Sequence, residues 1–287
     1  DACDSTISFG GTTPPPPSPP TVRAADARDP GVAIYPTTTT IQSDLFGAGE
    51  PTLDVNYATG SVFMRFILGT AKAVFNDTAS PPTVTWSDVT DPINGLASIP
   101  GLDPFIGGSY LPVKAGAGVN PALVGTPDTT VPSRIFTMQL LAGTSAMSYS
   151  DDDGETWTVG QGGGEPAGAD NQALAAGPYP ADFLLGPVVL ADYAVYYCSH
   201  SSVNAFCSRS DDGGMTFKNS FPIFPADGLC GNHGHVKVGP DGTVYVPMNN
   251  SCQGSEGVTF STDGGLTWSY VTVPNTSQGR WDSSIAI

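Results

Sequence analysis

The chain has 287 residues, 35 Gly and 27 Pro, and a formal net charge of −17 although only 13% of its residues are charged, so the acidity reflects scarce Lys and Arg. Such a surface has no basic stripe to meet nucleic-acid phosphates, and no apolar run approaches the roughly 20 residues that span a bilayer. Closely spaced turn signals without sustained 3.6-residue periodicity predict an all-β fold.

Residues 1–22 contain Pro14-Pro15-Pro16-Pro17-Ser18-Pro19-Pro20, which holds a polyproline II conformation and joins neither a helix nor the interior of a sheet. They form an extended arm beginning at Asp1, which reads as a processed N-terminus. Within it Ile7 to Phe9 can add a strand to a sheet edge of this chain or of a neighbour, and that is the expected route to self-assembly. Residues 23–49 are an entry segment.

From residue 50 one unit recurs: a polar or acidic residue, a short apolar strand, a turn and a returning strand. Asp241-Gly242 leading into Thr243-Val244-Tyr245-Val246 is the clearest hairpin. Units fall at about 50–90, 102–162, 170–225 and 233–275, each with four strand candidates, and a fifth opens near 280. Three of them carry Ser-x-Asp-x-Gly-x-Thr-aromatic, at Ser150-Asp152-Gly154-Thr156-Trp157, Ser210-Asp212-Gly214-Thr216-Phe217 and Ser261-Asp263-Gly265-Thr267-Trp268. In a hairpin turn the Asp accepts backbone N–H bonds, the Gly supplies a positive φ and the aromatic ring buries between sheets.

These motifs resemble the Asp-box, or bacterial neuraminidase repeat, of the sialidase-like β-propellers. The resemblance covers residues 50–287. It implies four-stranded antiparallel blades, six in the closed family ring, of which this chain supplies about four and the first strand of a fifth. It also implies that Asp152, Asp212 and Asp263 are structural. Active sialidases grip the substrate carboxylate with three arginines, the first in a Phe/Tyr-Arg-Ile-Pro motif. Here Gly49-Glu50-Pro51-Thr52 stands in that place, leaving Arg65, Arg134, Arg209 and Arg280, of which Arg65 and Arg209 read as mid-blade residues. The family's tyrosine nucleophile would lie after Ile287.

Residues that open the first strand of each blade converge on the propeller axis: Glu50, Asp103, Asp170, His233 and Asp282, with His235 two residues on. Such a ring can meet sugar hydroxyls, bind a hard cation such as Ca²⁺, or supply an acid and base for glycoside hydrolysis. The plainer alternative is that these groups satisfy polar atoms in a wet channel. His233 and His235 share one strand face on period-two geometry, but two imidazoles do not make a metal site, and no cofactor is called for.

Cys198 and Cys207 flank one hairpin and Cys230 and Cys252 another, so these pairs are the expected disulfides, with Cys3 left over. Disulfides and the sequons at Asn76, Asn249 and Asn275 suit a secreted or cell-surface protein. The functional expectation is a propeller that binds a glycan or an extracellular protein, or builds a cell-surface assembly, without sialidase activity. The alternative is an exo-sialidase-like glycoside hydrolase using carboxylates at the channel mouth. Neither nucleic acid nor a membrane span enters either reading.

Overall fold

The computed structural model describes residues 37–39, 52–66, 69–90, 102–108, 110, 133–141, 144–162, 170–181, 183, 191–201, 204–224, 232–248, 254–277 and 283–287. Among them every regular element is a strand, and the strands form four sheets. The first holds β1 (Thr37–Thr39), β2 (Thr52–Val55), β3 (Val62–Arg65), β4 (Thr70–Asn76) and β5 (Thr83–Asp88). The second holds β6 (Leu102–Gly107), β7 (Ile135–Leu141), β8 (Thr144–Ser150) and β9 (Thr158–Val159). The third comprises β10 (Asp170–Gly177), β11 (Ala194–His200), β12 (Ala205–Ser210) and β13 (Phe221–Pro222). The fourth comprises β14 (Lys237–Val238), β15 (Val244–Met248), β16 (Gly257–Ser261) and β17 (Ser269–Thr272).

Each sheet is built on a four-stranded antiparallel meander, and the first strands β2, β6, β10 and β14 contact one another in that order around an axis. These are blades of a β-propeller. Sandwiched between neighbouring blades, β11 buries both faces and reads as a continuous apolar run: Val195, Tyr196, Tyr197 and Cys198 are all buried. The largest core runs through the second, third and fourth blades around Phe136, Met138, Tyr196, Val244 and Val246. A smaller one, Phe63, Ile106, Ile135 and Trp157, joins the first two blades. Each such ring or branched chain contributes about 1.5–3 kcal/mol by leaving water.

The entry segment contributes β1, which pairs parallel to β5 with Thr38 opposite Thr85 and closes the outer edge of the first blade. Cys198 and Cys207 lie directly opposite across β11 and β12 and are bonded. Cys3, Cys230, Cys252 and residues 1–22 lie outside the described residues.

Candidate functional site

The blades have two distinct ends. One carries the turns after the first strands and the Ser-x-Asp-x-Gly-x-Thr turns; the other carries the residues that open the first strands. The eight residues of β10 span the distance between them, about 23 Å at 3.3 Å per residue.

At the turn end the three motifs repeat one set of hydrogen bonds. Ser150, Ser210 and Ser261 each donate their hydroxyl to the motif Asp and accept the N–H of Gly154, Gly214 or Gly265. The Asp then receives the N–H and hydroxyl of Thr156, Thr216 or Thr267. Burial works to raise the pKa of Asp152, Asp212 and Asp263, but these donated bonds outweigh it and hold all three carboxyls below the usual range. Carboxylates so occupied hold the turn. Gly214 shows why the motif needs glycine: φ is 83°, and a Cβ there would sit 2.5 Å from the Phe136 ring of the preceding blade.

A cation from each earlier blade meets the next turn. Lys72 Nζ donates to the Asp153 carbonyl at 2.9 Å, Arg134 Nη1 to the Gly213 carbonyl at 2.7 Å, and Arg209 Nη1 to the Gly264 carbonyl. Both arginines also grip the carboxylate that follows the motif serine of their own blade, Asp151 or Asp211. Arg134 lies over the Tyr149 ring at 3.7 Å. The sequence reads Arg209 as a mid-blade residue and leaves Arg134 open; the paired Asp151 and Asp211 were the signal that both serve blade packing.

At the opposite end, Asp170 starts β10 and His200 finishes β11, so their pairing puts the carboxylate 3.9 Å from His200 Nε2. The His200 ring meets His233 edge-on at 5.9 Å between centroids. Asn171, held at φ 47°, donates its side-chain amide to the His233 carbonyl. His233 is fully buried, and its Nδ1 lies 2.7 Å from the Gly234 carbonyl. A neutral ring carries one proton, and a carbonyl beside Nδ1 favours holding it there. Burial, with the neighbouring His200 and His235, pushes the His233 pKa down to about 4, against backbone hydrogen bonds to Gly234 and Ser199. Gly234 itself has no room for a side chain, since a Cβ would fall 1.5 Å from the Ser283 carbonyl oxygen.

Both β6 and β10 shift register near their start, between Leu102 and Phe105 and between Asp170 and Ala173. Such bulges re-aim side chains and recur beside binding sites. Asp103 sits in the first of them, although its side chain lies outside the described residues, as do Glu50 and Asp282. His235 does not join the His200–His233 contact. It meets the Phe105 ring edge-on at 5.4 Å and lines a recess along the axis. Period-two reasoning does not govern these histidines, because the strand begins only at Lys237. Among the described residues no three His, Cys, Asp or Glu side chains gather as a metal centre requires.

The recess has a volume of about 810 Å³ and is lined by the first strands and the turns that follow them, with Leu53, Asp54, Phe105, Tyr110, His235 and Lys237 on its walls. Burial pushes the Tyr110 phenol up to about 12. No sequence motif marks this recess.

Neither a protein-family model nor a curated protein matches the sequence. Among solved structures, the chain is similar to the α-L-arabinofuranosidase Arb93A from Fusarium graminearum at 12% identity and a TM-score of 0.45, over 86% of this chain and 72% of that one. It is similar to a Hadza microbial sialidase at 9% identity and TM-score 0.44, over 79% and 45% of the two chains. With the GH74 xyloglucanase from Xanthomonas campestris the values are 16% and 0.42, over 78% and 30%. The chain thus spans less than half the length of the latter two, and its likeness to all three is one of fold.

Proposed function

We propose that this chain belongs to an exported, sialidase-like Asp-box propeller that binds a glycan or an extracellular partner where the first strands open, without sialidase activity. The supporting observation is the juxtaposition of Asp170 and Asn171, at the bulged start of β10, with His200 and buried His233. Carboxylate, amide and imidazole groups at a channel mouth suit the alternating donors and acceptors of sugar hydroxyls. Recognition of sialic acid needs a guanidinium cluster, and Arg134 and Arg209 are committed to blade contacts at the other end. The Cys198–Cys207 bond supports export. A glycan array read with the protein and with Asp170→Asn tests this: selective binding that weakens about tenfold in the variant is expected, and binding that ignores the substitution removes the site.

A second reading, a glycoside hydrolase, is favoured by the Asp170–His200 contact, since an imidazole beside a carboxylate can tune it for acid–base work. Release of p-nitrophenol from a panel of aryl glycosides, including sialosides and arabinofuranosides, separates the two. Turnover lost in Asp170→Asn establishes hydrolysis; binding without turnover supports the first reading.

A further inference from the structure

We propose that the cleft between the outer strands of the third and fourth blades receives the apolar triplet Ile7-Ser8-Phe9 from the N-terminal arm of a second copy of this chain. The inference does not rest on the site at Asp170 and His200, and its failure leaves that reading intact.

Trp268, on the fourth-blade wall of the cleft, is where one motif departs from its sister copies. At the same position in the second blade, Trp157 donates its indole N–H to the backbone carbonyl of Val89 in the first blade at 2.7 Å. In the third blade Phe217 has no N–H to place and packs edge-on against Tyr197, so the packing role alone needs no indole. Trp268 keeps its N–H buried with no partner among the described residues. Tyr196, on the third-blade wall, is 1% exposed, and its hydroxyl also lacks an acceptor. Arg209 beside it is donor-only and cannot take that proton. Buried donors are costly to leave unmet, so two of them on one cleft favour an incoming oxygen.

Size and polarity narrow the occupant. The cleft has a volume of about 30 Å³, room for about two water-sized groups but too small for a free small-molecule ligand. What fills it must lie across the surface and insert a carbonyl or the tip of a side chain. Its lips are apolar: Phe221 and Leu266 are 53% and 64% exposed. Both cations on its wall, Arg209 and Lys218, are engaged by Asp211, so neither is free to select an anionic ligand. An extended, uncharged peptide with apolar side chains fits, and Trp157 shows that this motif position takes a backbone carbonyl.

Ile7-Ser8-Phe9 has that pattern, with two apolar side chains on one face of an extended chain. Residues 10–36 separate it from Thr37 on the outer edge of the first blade. The prolines from Pro14 to Pro20 make part of that separation a stiff spacer of about 3.1 Å per residue. A stiff spacer carries the triplet away from its own rim and toward another molecule.

The experiment titrates a fluorescently labelled peptide of residues 4–12 into the full chain at physiological salt, read by anisotropy, and follows the mass of the full chain by sedimentation over a range of concentrations. The peptide is expected to bind and a Phe9→Ser peptide is not. Trp268→Phe keeps an aromatic ring and should weaken binding about tenfold, the loss expected of one hydrogen bond. It should lower the thermal midpoint less than Trp157→Phe, whose indole has a partner within the fold. Leu266→Asp, at an exposed position, should abolish binding, and the full chain should form dimers or larger species that the free peptide breaks up. No peptide binding, binding indifferent to both cleft substitutions, or a midpoint lowered as much by Trp268→Phe as by Trp157→Phe overturns the proposal. Peptide binding by a chain that stays monomeric at every concentration gives the cleft to the chain's own arm and overturns the contact between copies.

Discussion

Asn56 of the first blade donates its side-chain amide to Asp153 of the second at 2.8 Å, and Asp153 also accepts the hydroxyls of Thr59 and Ser61 at 2.8 Å each. Asp153 adopts φ 60°, while its counterparts Gly213 and Gly264 adopt 74° and 73°. The second blade thus accepts a left-handed non-glycine residue because its side chain ties two blades together. Asp153→Gly relieves backbone strain of about 1 kcal/mol but forfeits three hydrogen bonds at about 1 kcal/mol each. A net loss of about 2 kcal/mol in urea unfolding is expected, and a stabilisation of about 1 kcal/mol would show that the bonds contribute nothing.

The arginine contacts rank by burial. Asp211 is 7% exposed, so Arg209→Met leaves a buried carboxylate held by Lys218 and Tyr179, at a cost of about 3 kcal/mol. Arg134 meets a more exposed partner, Asp151, and Arg134→Met should cost about 1 kcal/mol. Denaturation midpoints check the order; equal losses would place the energy in the shared carbonyl contact instead.

Stability should fall with acid in two stages. His233 is a base whose folded pKa, about 4, lies below its unfolded value near 6.5. Its contribution is therefore complete above about pH 6.5 and is lost as pH falls toward 4, because the unfolded chain takes the proton first; the loss is up to about 3 kcal/mol. The motif aspartates have depressed pKa values, so their contribution is present above about pH 4 and disappears below it. Urea midpoints at pH 7, 5.5 and 4.5 should slope for the parent and run nearly flat for His233→Asn, whatever that variant's absolute stability. A parallel slope in the variant assigns the titration elsewhere.

Replacing both Cys198 and Cys207 by Ala removes a crosslink between residues nine apart, worth about 2–3 kcal/mol on the chain-entropy model. Both side chains are buried, so a mild reductant should act on the native protein only at the rate of local opening. Rapid reduction in the folded state would contradict that burial.

The motif turns and the blades were legible in the sequence because turn chemistry is local: Ser150, Asp152, Gly154 and Thr156 bond to one another, and their spacing alone specifies the bonds. The candidate site was less so. His233 and His235 look like strand neighbours, but they precede the strand, and their rings take different partners. The bulge at Asp170 re-aims Asn171, which no pattern of alternation foretells. Arg134 and Arg209 needed knowledge of the adjoining blade, a contact 79 or 55 residues away along the chain.

The short threonine strand Thr37–Thr39 acts as a guard. In the second and third blades the outermost strands, β9 and β13, are two residues long, too short to template another chain. In the first blade the meander ends on β5, which has six, beside the exposed Val74 and Phe75 of β4. That longer edge is the one β1 seals. A version of the chain begun after residue 40 would keep its four meanders yet present an open β-edge flanked by apolar side chains, trading a soluble rim for one that recruits copies of itself.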